Sequence, residues 1–341
     1  MAYSVSVQKK STADPILRDF FITKEGWVFS VSDYFHPAEG IRSILRYVPD
    51  QNGERVSKKD QMPYHKLDFG ESFQFLKKMH GEWISEVCLV PRDEIVRILK
   101  PNDAVLDILE KKRSFPAAFE LIRRFKDASI PVSSMGISGS ILAGLDNDSS
   151  DIDFVVYGND WILAKDVLKR MKQADFSKPE TADFKISELD DAMWHTVYKK
   201  RKSPLSFEDF FAHEIRKGNR GMFLRSGGQE NVYFDLLFVR SFDQIQFPIP
   251  RGIDAFKTEI EAVVTDASFS FDSPAIYLID HDEIDEIYSY THTYVGQALK
   301  GETVRARGVV EVIGDKKRLV IGTSREAQDE WMISLTLLEK E

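Results

Sequence analysis

Two aspartates at the start of an apolar run constrain this chain more than any other feature. Asp151 and Asp153 flank Ile152 and lead into Phe-Val-Val-Tyr at 154–157. Alternate side chains of a β-strand project to the same face, so a strand here places both carboxylates in one small volume. Like charges this close raise each other's pKa and destabilise the fold unless a cation neutralises them. The pair therefore predicts a divalent metal site.

A glycine-serine pair precedes the two aspartates. Gly139 and Ser140 stand where a strand-like segment, 135–138, passes into a helix-like segment, 141–145. Backbone N–H groups at the start of a helix attract phosphate, and glycine permits a close approach. We therefore predict that Gly139 and Ser140 bind the phosphates of a nucleotide. Phosphate contacts beside a metal-binding pair indicate phosphoryl or nucleotidyl transfer.

These residues resemble the signature of a known family. Gly-Ser, a ten-residue spacer and Asp-x-Asp are similar to the motif of the nucleotidyltransferase superfamily, which includes polymerase-β-like enzymes, CCA-adding enzymes and small prokaryotic nucleotidyltransferases. In that family a later strand supplies a third carboxylate. Asp235, embedded in the apolar run 231–239, matches it. The resemblance covers these two segments and nothing before Ser114.

The resemblance implies a reaction and a cofactor. Asp151, Asp153 and Asp235 would hold two Mg²⁺ or Mn²⁺ ions, and Asp235 would take the proton of the acceptor. The substrate would be a nucleoside triphosphate, whose nucleoside monophosphate passes to an acceptor with release of pyrophosphate. Metal ions in such sites stabilise the attacking and leaving oxygens. RNA, DNA and protein all remain candidate acceptors.

Basic residues before the Asp235 strand are candidates for holding the leaving pyrophosphate, which needs cations beyond the metals. Lys217 and Arg220 directly precede a predicted hairpin, 222–225 with a turn at 226–229. We predict that both contact the nucleotide. Arg225 is the alternative cation, and solvated loop lysines are the alternative interpretation.

Other motif assignments fail on spacing. A calcium loop of the EF-hand type beginning at Asp146 needs glycine at its sixth position, which is Asp151. A nucleophile elbow beginning at Gly136 needs glycine where Ser140 stands. The chain has no Gly-Lys-Ser/Thr phosphate loop. The remaining alternative is a solvated polar loop that caps a helix.

Composition limits the partners and the compartment. The net charge of −9 argues against a broad nucleic-acid-binding surface, because such binding neutralises many phosphates. No apolar run is long enough to span a membrane, and the N-terminus lacks a signal-peptide core. One cysteine cannot form an internal disulfide. We therefore expect a cytoplasmic protein with no membrane partner.

The predicted fold is α/β (α+β), with a nucleotidyltransferase-like mixed sheet between two other regions. Residues 1–108 form a β-rich domain, and 109–240 form the nucleotidyltransferase domain, with a helix at 161–171 after the apolar run 154–157. Residues 241–287 form a connecting helix (255–264) and strand (275–279), and 288–341 form a small β domain. The last region resembles oligonucleotide-binding barrels in its opening, Gly-Glu-x-Val-x-Ala-Arg-Gly. A structural lid explains it equally well. The basic residues that could meet a nucleic acid there are Arg305, Arg307, Lys316, Lys317 and Arg318.

In the N-terminal region we predict strands at 20–22, 27–31 and 44–48 and helices at 72–79 and 91–99. Its polar residues could recognise a substrate, although a solvated surface is the simpler interpretation. They are His36, Arg42, Arg46, Tyr64, His65, Lys66 and Asp68.

Two other functions are compatible with these patterns. One is a nucleic-acid-binding module that keeps the transferase fold without turnover, and the other is a toxin-neutralising transferase that modifies a partner protein. The geometry of the three carboxylates discriminates between the enzyme and the binding module.

Overall fold

The chain forms a mixed α+β structure with several sheets. The computed structural model describes residues 14–85, 87–110, 114–173, 184–225, 231–323 and 329–339. It divides into two compact units: Met1–Ser187 with Arg220–Pro248, and Glu188–Asn219 with Ile249–Glu341. The units do not coincide with the sequence-based boundaries, because 188–219 groups with the C-terminal region. No helix in the described ranges is both long and apolar enough to cross a membrane.

The first sheet occupies the N-terminal region, in the order β4-β5-β3-β2-β1-β7, with β6 paired to β3. Helix α1 (Phe69–Met79) begins with a capping box in which Asp68 and Glu71 bond to each other's backbone. The strands are β1 (Phe20–Thr23), β2 (Val28–Val31), β3 (Gly40–Pro49), β4 (Arg55–Val56), β5 (Pro63–Lys66), β6 (Cys88–Pro91) and β7 (Ile95–Leu99).

The three predicted N-terminal strands and the helix at 72–79 are confirmed. The predicted helix at 91–99 is wrong. Residues Ile95–Leu99 form β7, which pairs antiparallel with β1. Ile95, Val96 and Ile98 are β-branched, and the free edge of β1 favours their extended form over an isolated helical turn.

The second sheet is mixed and has the order β10-β11-β12-β9-β8. Strands β9 and β12 run parallel to each other, and the other neighbours are antiparallel. The helix predicted after the β9 run is confirmed as α5. The elements are α2 (Pro101–Leu109), α3 (Pro116–Asp127), β8 (Met135–Ile137), α4 (Gly139–Ala143), β9 (Ile152–Tyr157), α5 (Asp160–Gln173), β10 (Phe184–Ser187), β11 (Arg220–Arg225) and β12 (Val232–Val239).

The N-terminal segment packs on this second sheet. Leu17 and Tyr34 share one buried cluster with Val155 and Val239 of the two parallel strands. The Tyr34 hydroxyl accepts a 2.9 Å hydrogen bond from the backbone N–H of Arg240. Within the first unit, the N-terminal region and the mixed sheet therefore share part of their core.

The second unit contains a closed five-stranded barrel. Its strands follow the order β13-β14-β15-β17-β16, and pairing of β13 with β16 closes the ring. Strand β18 adds to β16 outside the ring. The elements of this unit are α6 (Asp191–Arg201), α7 (Phe207–Lys217), β13 (Ile253–Asp266), β14 (Ala275–Asp280), β15 (Glu286–Ser289), β16 (Thr303–Ile313), β17 (Lys316–Ile321), β18 (Trp331–Ser334) and α8 (Leu335–Leu338).

The barrel is confirmed, but it is larger than predicted. Residues 241–287 were expected to connect domains through a helix at 255–264. Instead Ile253–Asp266 is a long strand, and Ile260, Ala262 and Val264 alternate into the core. Every second residue from 260 to 264 is buried, and several residues of the segment are β-branched, which favours a strand. Strand β16 pairs with this segment along most of its length and stabilises the extended form. The predicted strand at 275–279 is confirmed as β14 and joins the same ring.

A buried ion pair holds two adjacent barrel strands together. Arg318 of β17 donates to Glu311 Oε2 of β16 through Nε at 3.0 Å and Nη2 at 2.6 Å. Their side chains are 2% and 0% exposed. The Arg318 guanidinium also lies 4.5 Å from the centre of the Tyr288 ring. Removing one partner would leave an uncompensated charge in the core.

We expect Glu311→Ala to lower the free energy of unfolding of the barrel by about 3–5 kcal/mol, because Arg318 would stay buried without its carboxylate. Urea unfolding followed by far-ultraviolet circular dichroism measures this. Glu261→Ala is the matched control, because Glu261 pairs with Arg305 on the exposed surface at 3.1 Å. That change should cost less than about 1 kcal/mol. An equal decrease in the free energy of unfolding in the two variants would contradict a stabilising role of the buried ion pair.

Candidate active site

The pairing of β9 with β12 brings two of the three predicted carboxylates together. In the parallel register Asp235 stands directly opposite Asp153. Directly paired residues of neighbouring strands project to the same face, so the two carboxylates share one side of the sheet. Asp151 immediately precedes β9 and is exposed, whereas Asp153 and Asp235 are partly buried. The strand pairing thus sets Asp235 beside Asp153, and the assignment of the three carboxylates to one catalytic metal site stays a prediction.

Gly139 lies against the carboxylate of Asp153. Its backbone has φ +66°, a conformation that favours glycine, and a Cβ there would come within 2.1 Å of Asp153 Oδ2. The neighbouring Ser138 N–H donates a 2.9 Å hydrogen bond to the backbone carbonyl of Asp153. Ser140 follows as a buried residue in α4, which has only five residues. Only glycine at 139 therefore leaves room for Asp153 in this position.

Asp235 is engaged by two neighbours. Its Oδ1 accepts a hydrogen bond from Arg220 Nε at 3.0 Å and another from the Tyr233 hydroxyl at 2.9 Å. Arg220 stands directly opposite Asp235 in the β11–β12 pair. The cation that the sequence assigned to the nucleotide is thus the ion partner of the third carboxylate.

The position of Asp153 is electrostatically unfavourable for a charged group. Burial raises the pKa of Asp153 to about 6, and the charge of Asp151 acts in the same direction. Asp235 also raises this pKa, whereas Arg18 and Arg46 lower it. Ionised Asp153 therefore lacks full compensation from the protein itself, as expected of a carboxylate that meets a cation.

The carboxylates at this site meet some of the requirements for binding a divalent cation. In the described ranges, no set of three or more His, Cys, Asp or Glu side chains is arranged to hold a metal ion. Mg²⁺, however, is commonly bound through one or two carboxylates together with substrate phosphates and water. Asp151 and Asp153 fit that requirement, because neither has an ion pair or side-chain hydrogen bond with another described residue. Asp235 is held by Arg220, so its assignment as a metal ligand stays a prediction.

Lys217 belongs to the second unit and has partners there. Its ammonium donates to Glu214 Oε1 at 2.7 Å and to the Thr293 carbonyl at 2.6 Å, and the side chain is 3% exposed. Burial holds the pKa of Lys217 well below its ordinary value. These contacts give Lys217 a structural role, so it is left out of the candidate site. The side chain of Arg225, the alternative cation, and the turn at 226–229 lie outside the described residues.

The N-terminal sheet contributes cations that the sequence interpretation treated as solvated surface. Arg46 of β3 and Lys66 of β5 are only partly exposed. Burial lowers the pKa of Lys66, as does the charge of Arg46. Asp151 and Asp153 raise the pKa of Lys66, and Arg46 in turn lowers the pKa of Asp153. Sequence alone offered no signal for this arrangement, because Arg46 and Lys66 lie more than eighty residues from the aspartates.

Most basic residues of the barrel are paired with acids. Arg305 pairs with Glu261 at 3.1 Å, and Lys317 pairs with Glu283 at 3.4 Å. Arg307 lies 3.9 Å from Glu259, and Arg318 is buried with Glu311. A face neutralised in this way is a poor match for a phosphate backbone.

Comparison with known proteins identifies the family of this mixed α+β protein without naming an activity. The chain is 34% identical over 346 residues to uncharacterized protein MJ1086 of Methanocaldococcus jannaschii, an alignment covering 93% of this chain and 98% of the relative. The chain therefore belongs to the same family as that archaeal protein. No family model matches it, and no solved structure matches it.

We expect Asp153→Asn to stabilise the protein at pH 8. A carboxylate whose pKa is about 6 in the folded state and about 3.9 in the unfolded state makes the folded state less stable as pH rises through this window. The asparagine removes that repulsion, so the gain should be on the order of 1–2 kcal/mol after screening and should vanish below about pH 4. Thermal unfolding at pH 4 and pH 8 measures it.

Asp148→Asn is the control for this measurement, because Asp148 is exposed in the preceding loop. Its thermal midpoint should follow that of the wild type at both pH values. Added Mg²⁺ should raise the wild-type midpoint more than that of Asp153→Asn. A loss of stability in Asp153→Asn at pH 8 would contradict the electrostatic account.

Proposed function

We propose that this protein is a metal-dependent nucleotidyltransferase that moves a nucleoside monophosphate from a nucleoside triphosphate to an acceptor and releases pyrophosphate. One observation carries the proposal: Asp153 and Asp235 stand opposite each other on parallel strands, with Asp151 two residues before Asp153. The glycine that the resemblance requires contacts Asp153 directly. Motif residues far apart in sequence thus meet at one sheet face, which favours the resemblance over a chance match.

Asp151 and Asp153 are the residues that would hold a divalent cation. Such a cation, when bound, stabilises negative charge on the attacking and leaving oxygens of the transferred phosphoryl group. Burial keeps Asp153 poorly compensated by the protein, so a bound cation would gain more from this site than from a solvated carboxylate pair. Gly139 leaves room for the Asp153 carboxylate, and Gly139 and Ser140 remain the predicted phosphate contacts.

Asp235 suits the role of proton acceptor better than that of an equal metal ligand. Arg220 and Tyr233 both donate to Oδ1, which fixes the orientation of the carboxylate. Within the described part of the chain, Oδ2 receives no hydrogen bond, so it is the oxygen available to an acceptor hydroxyl. Arg220 then acts by positioning Asp235, and direct contact between Arg220 and pyrophosphate stays a prediction.

Two observations bear on the acceptor and the alternative function. A non-catalytic nucleic-acid-binding module would rest on the basic barrel residues, yet most of these are paired with acids. The carboxylate arrangement, in contrast, has no use in a module that only binds a phosphate backbone, because carboxylates repel phosphate. The enzyme is therefore the better-supported function, with RNA, DNA or a protein as acceptor.

We expect label transfer from one or more α-³²P nucleoside triphosphates in the presence of Mg²⁺ or Mn²⁺. The assay offers all four ribonucleotides and deoxyribonucleotides with RNA, DNA and protein acceptors. Asp151→Asn and Asp153→Asn should each lower the rate by at least about 100-fold, because electrostatic stabilisation of the transferred group is lost. Asp235→Asn should lower kcat more than it raises KM.

Asp148→Asn serves again as the control and should retain wild-type transfer. A chelator should abolish the reaction, and excess Mg²⁺ should restore it. Persistent incorporation in Asp153→Asn would show that another group performs the chemistry. Absence of transfer with every nucleotide and acceptor, despite Mg²⁺-dependent stabilisation, would favour the non-catalytic alternative.

A further inference from the structure

The N-terminal sheet fixes the loop that leads to the catalytic carboxylates. Arg55 Nη1 of β4 donates to Ser150 Oγ at 3.0 Å, directly before Asp151. The backbone N–H of Lys58 donates to the Gly144 carbonyl at 3.0 Å, and the Lys58 ammonium forms an ion pair with Asp146. Both ends of the loop 144–150 are therefore held by residues of the N-terminal region.

The same sheet places two cations side by side. Strands β3 and β5 are antiparallel with Lys66 opposite Tyr47, and the Leu67 N–H bonds to the Arg46 carbonyl at 2.9 Å. Arg46 and Lys66 are thus neighbours in adjoining strands. Each is partly buried. The charge of Lys66 interacts with both Asp151 and Asp153, and the charge of Arg46 interacts with Asp153.

In the described part of the chain, these two cations have no ion partner. Among the described residues, no group hydrogen-bonds to or forms an ion pair with the side chain of Arg46 or Lys66, and the one side chain that bonds to Lys66, that of Glu54, accepts from its backbone N–H at 3.0 Å. In Arg18, whose charge also acts on Asp153, the buried Nε lacks a hydrogen-bond partner in the described part of the chain. Partly buried charge without a partner is costly to keep. Arg46 and Lys66 stand near the aspartates without engaging them, which suits a ligand that binds both.

A triphosphate that carries a divalent cation can bind the two aspartates and the two basic side chains at the same time. The cation neutralises the carboxylates, and the phosphate oxygens accept charge-assisted hydrogen bonds from guanidinium and ammonium groups. A free phosphate without a cation would be repelled by Asp151 and Asp153. A free divalent cation would be repelled by Arg46 and Lys66. The mixed charge of the site therefore favours the metal–polyphosphate complex over either part alone.

We propose that Arg46 and Lys66 of the N-terminal sheet bind the triphosphate of the nucleotide at the Asp151–Asp153 site. This inference rests on the proposed function and assigns the N-terminal region a role in substrate binding. Lys217 and Arg220, which the sequence favoured for this task, have ion partners in the protein. The N-terminal region supplies the cations in their place.

Isothermal titration calorimetry of the full chain with magnesium tripolyphosphate tests the proposal. We expect Arg46→Gln and Lys66→Gln each to raise the Kd at least tenfold, because each removes one charge-assisted contact. Arg46→Lys and Lys66→Arg should recover part of the affinity, which a merely structural role would not require. Arg97→Gln, an exposed arginine of β7 in the same sheet, should bind as the wild type does.

The outcomes separate this proposal from the proposed reaction. Unchanged tripolyphosphate binding in both glutamine variants would overturn it. Weakened binding of a single-stranded oligonucleotide with unchanged tripolyphosphate binding would also overturn it, because the cations would then serve the acceptor. A tenfold loss of tripolyphosphate affinity without any label transfer by the wild type would support the phosphate site and reject the reaction. Near-ultraviolet circular dichroism verifies that each variant is folded.

Discussion

The first unit is organised around carboxylates whose repulsion must be compensated. Parallel pairing of β9 with β12 sets Asp153 opposite Asp235, and Asp151 lies two residues before Asp153. Arg220 and Tyr233 bind Asp235, whereas Asp151 and Asp153 have no such partner among the described residues. The described part of the protein thus pairs one carboxylate with a cation and leaves the other two unpaired. A cluster of acids in which some carboxylates lack a partner in the protein is typical of a functional site.

Charges elsewhere in the molecule are handled differently. In the second unit Arg318 is buried with Glu311, Arg216 pairs with Glu302 at 2.6 Å, and Lys217 pairs with Glu214. Each of these cations has a carboxylate within bonding distance. Arg46 and Lys66 of the first unit have none in the described part of the chain. Removal of a charge from water without a partner is unfavourable, so the contrast supports the proposal that the first unit binds an ionic ligand.

The N-terminal region contacts the carboxylate site in several ways. Its hydrogen bonds hold the loop before Asp151, and its strands carry cations whose charges act on both aspartates. Leu17 and Tyr34 also share a buried cluster with the parallel strands. The region is therefore part of the same compact unit as the carboxylates, and both its packing and its charges support the proposal that it contributes to substrate binding.

Local patterns in the sequence determined the carboxylate pair, the glycine beside it and most strands and helices, because spacing of two residues and helical periodicity act over short distances. The resemblance to the nucleotidyltransferase motif identified Asp235, as the acid within the apolar run 231–239. Local patterns misassigned 91–99 and 255–264, where pairing with β1 and β16 decided between strand and helix. Only the tertiary structure shows that Arg220 pairs with Asp235 and that Lys217 pairs with Glu214. It also places Arg46 and Lys66 near the aspartates. Those contacts link residues whose separation in the chain carries no information about distance, so folding alone could decide them.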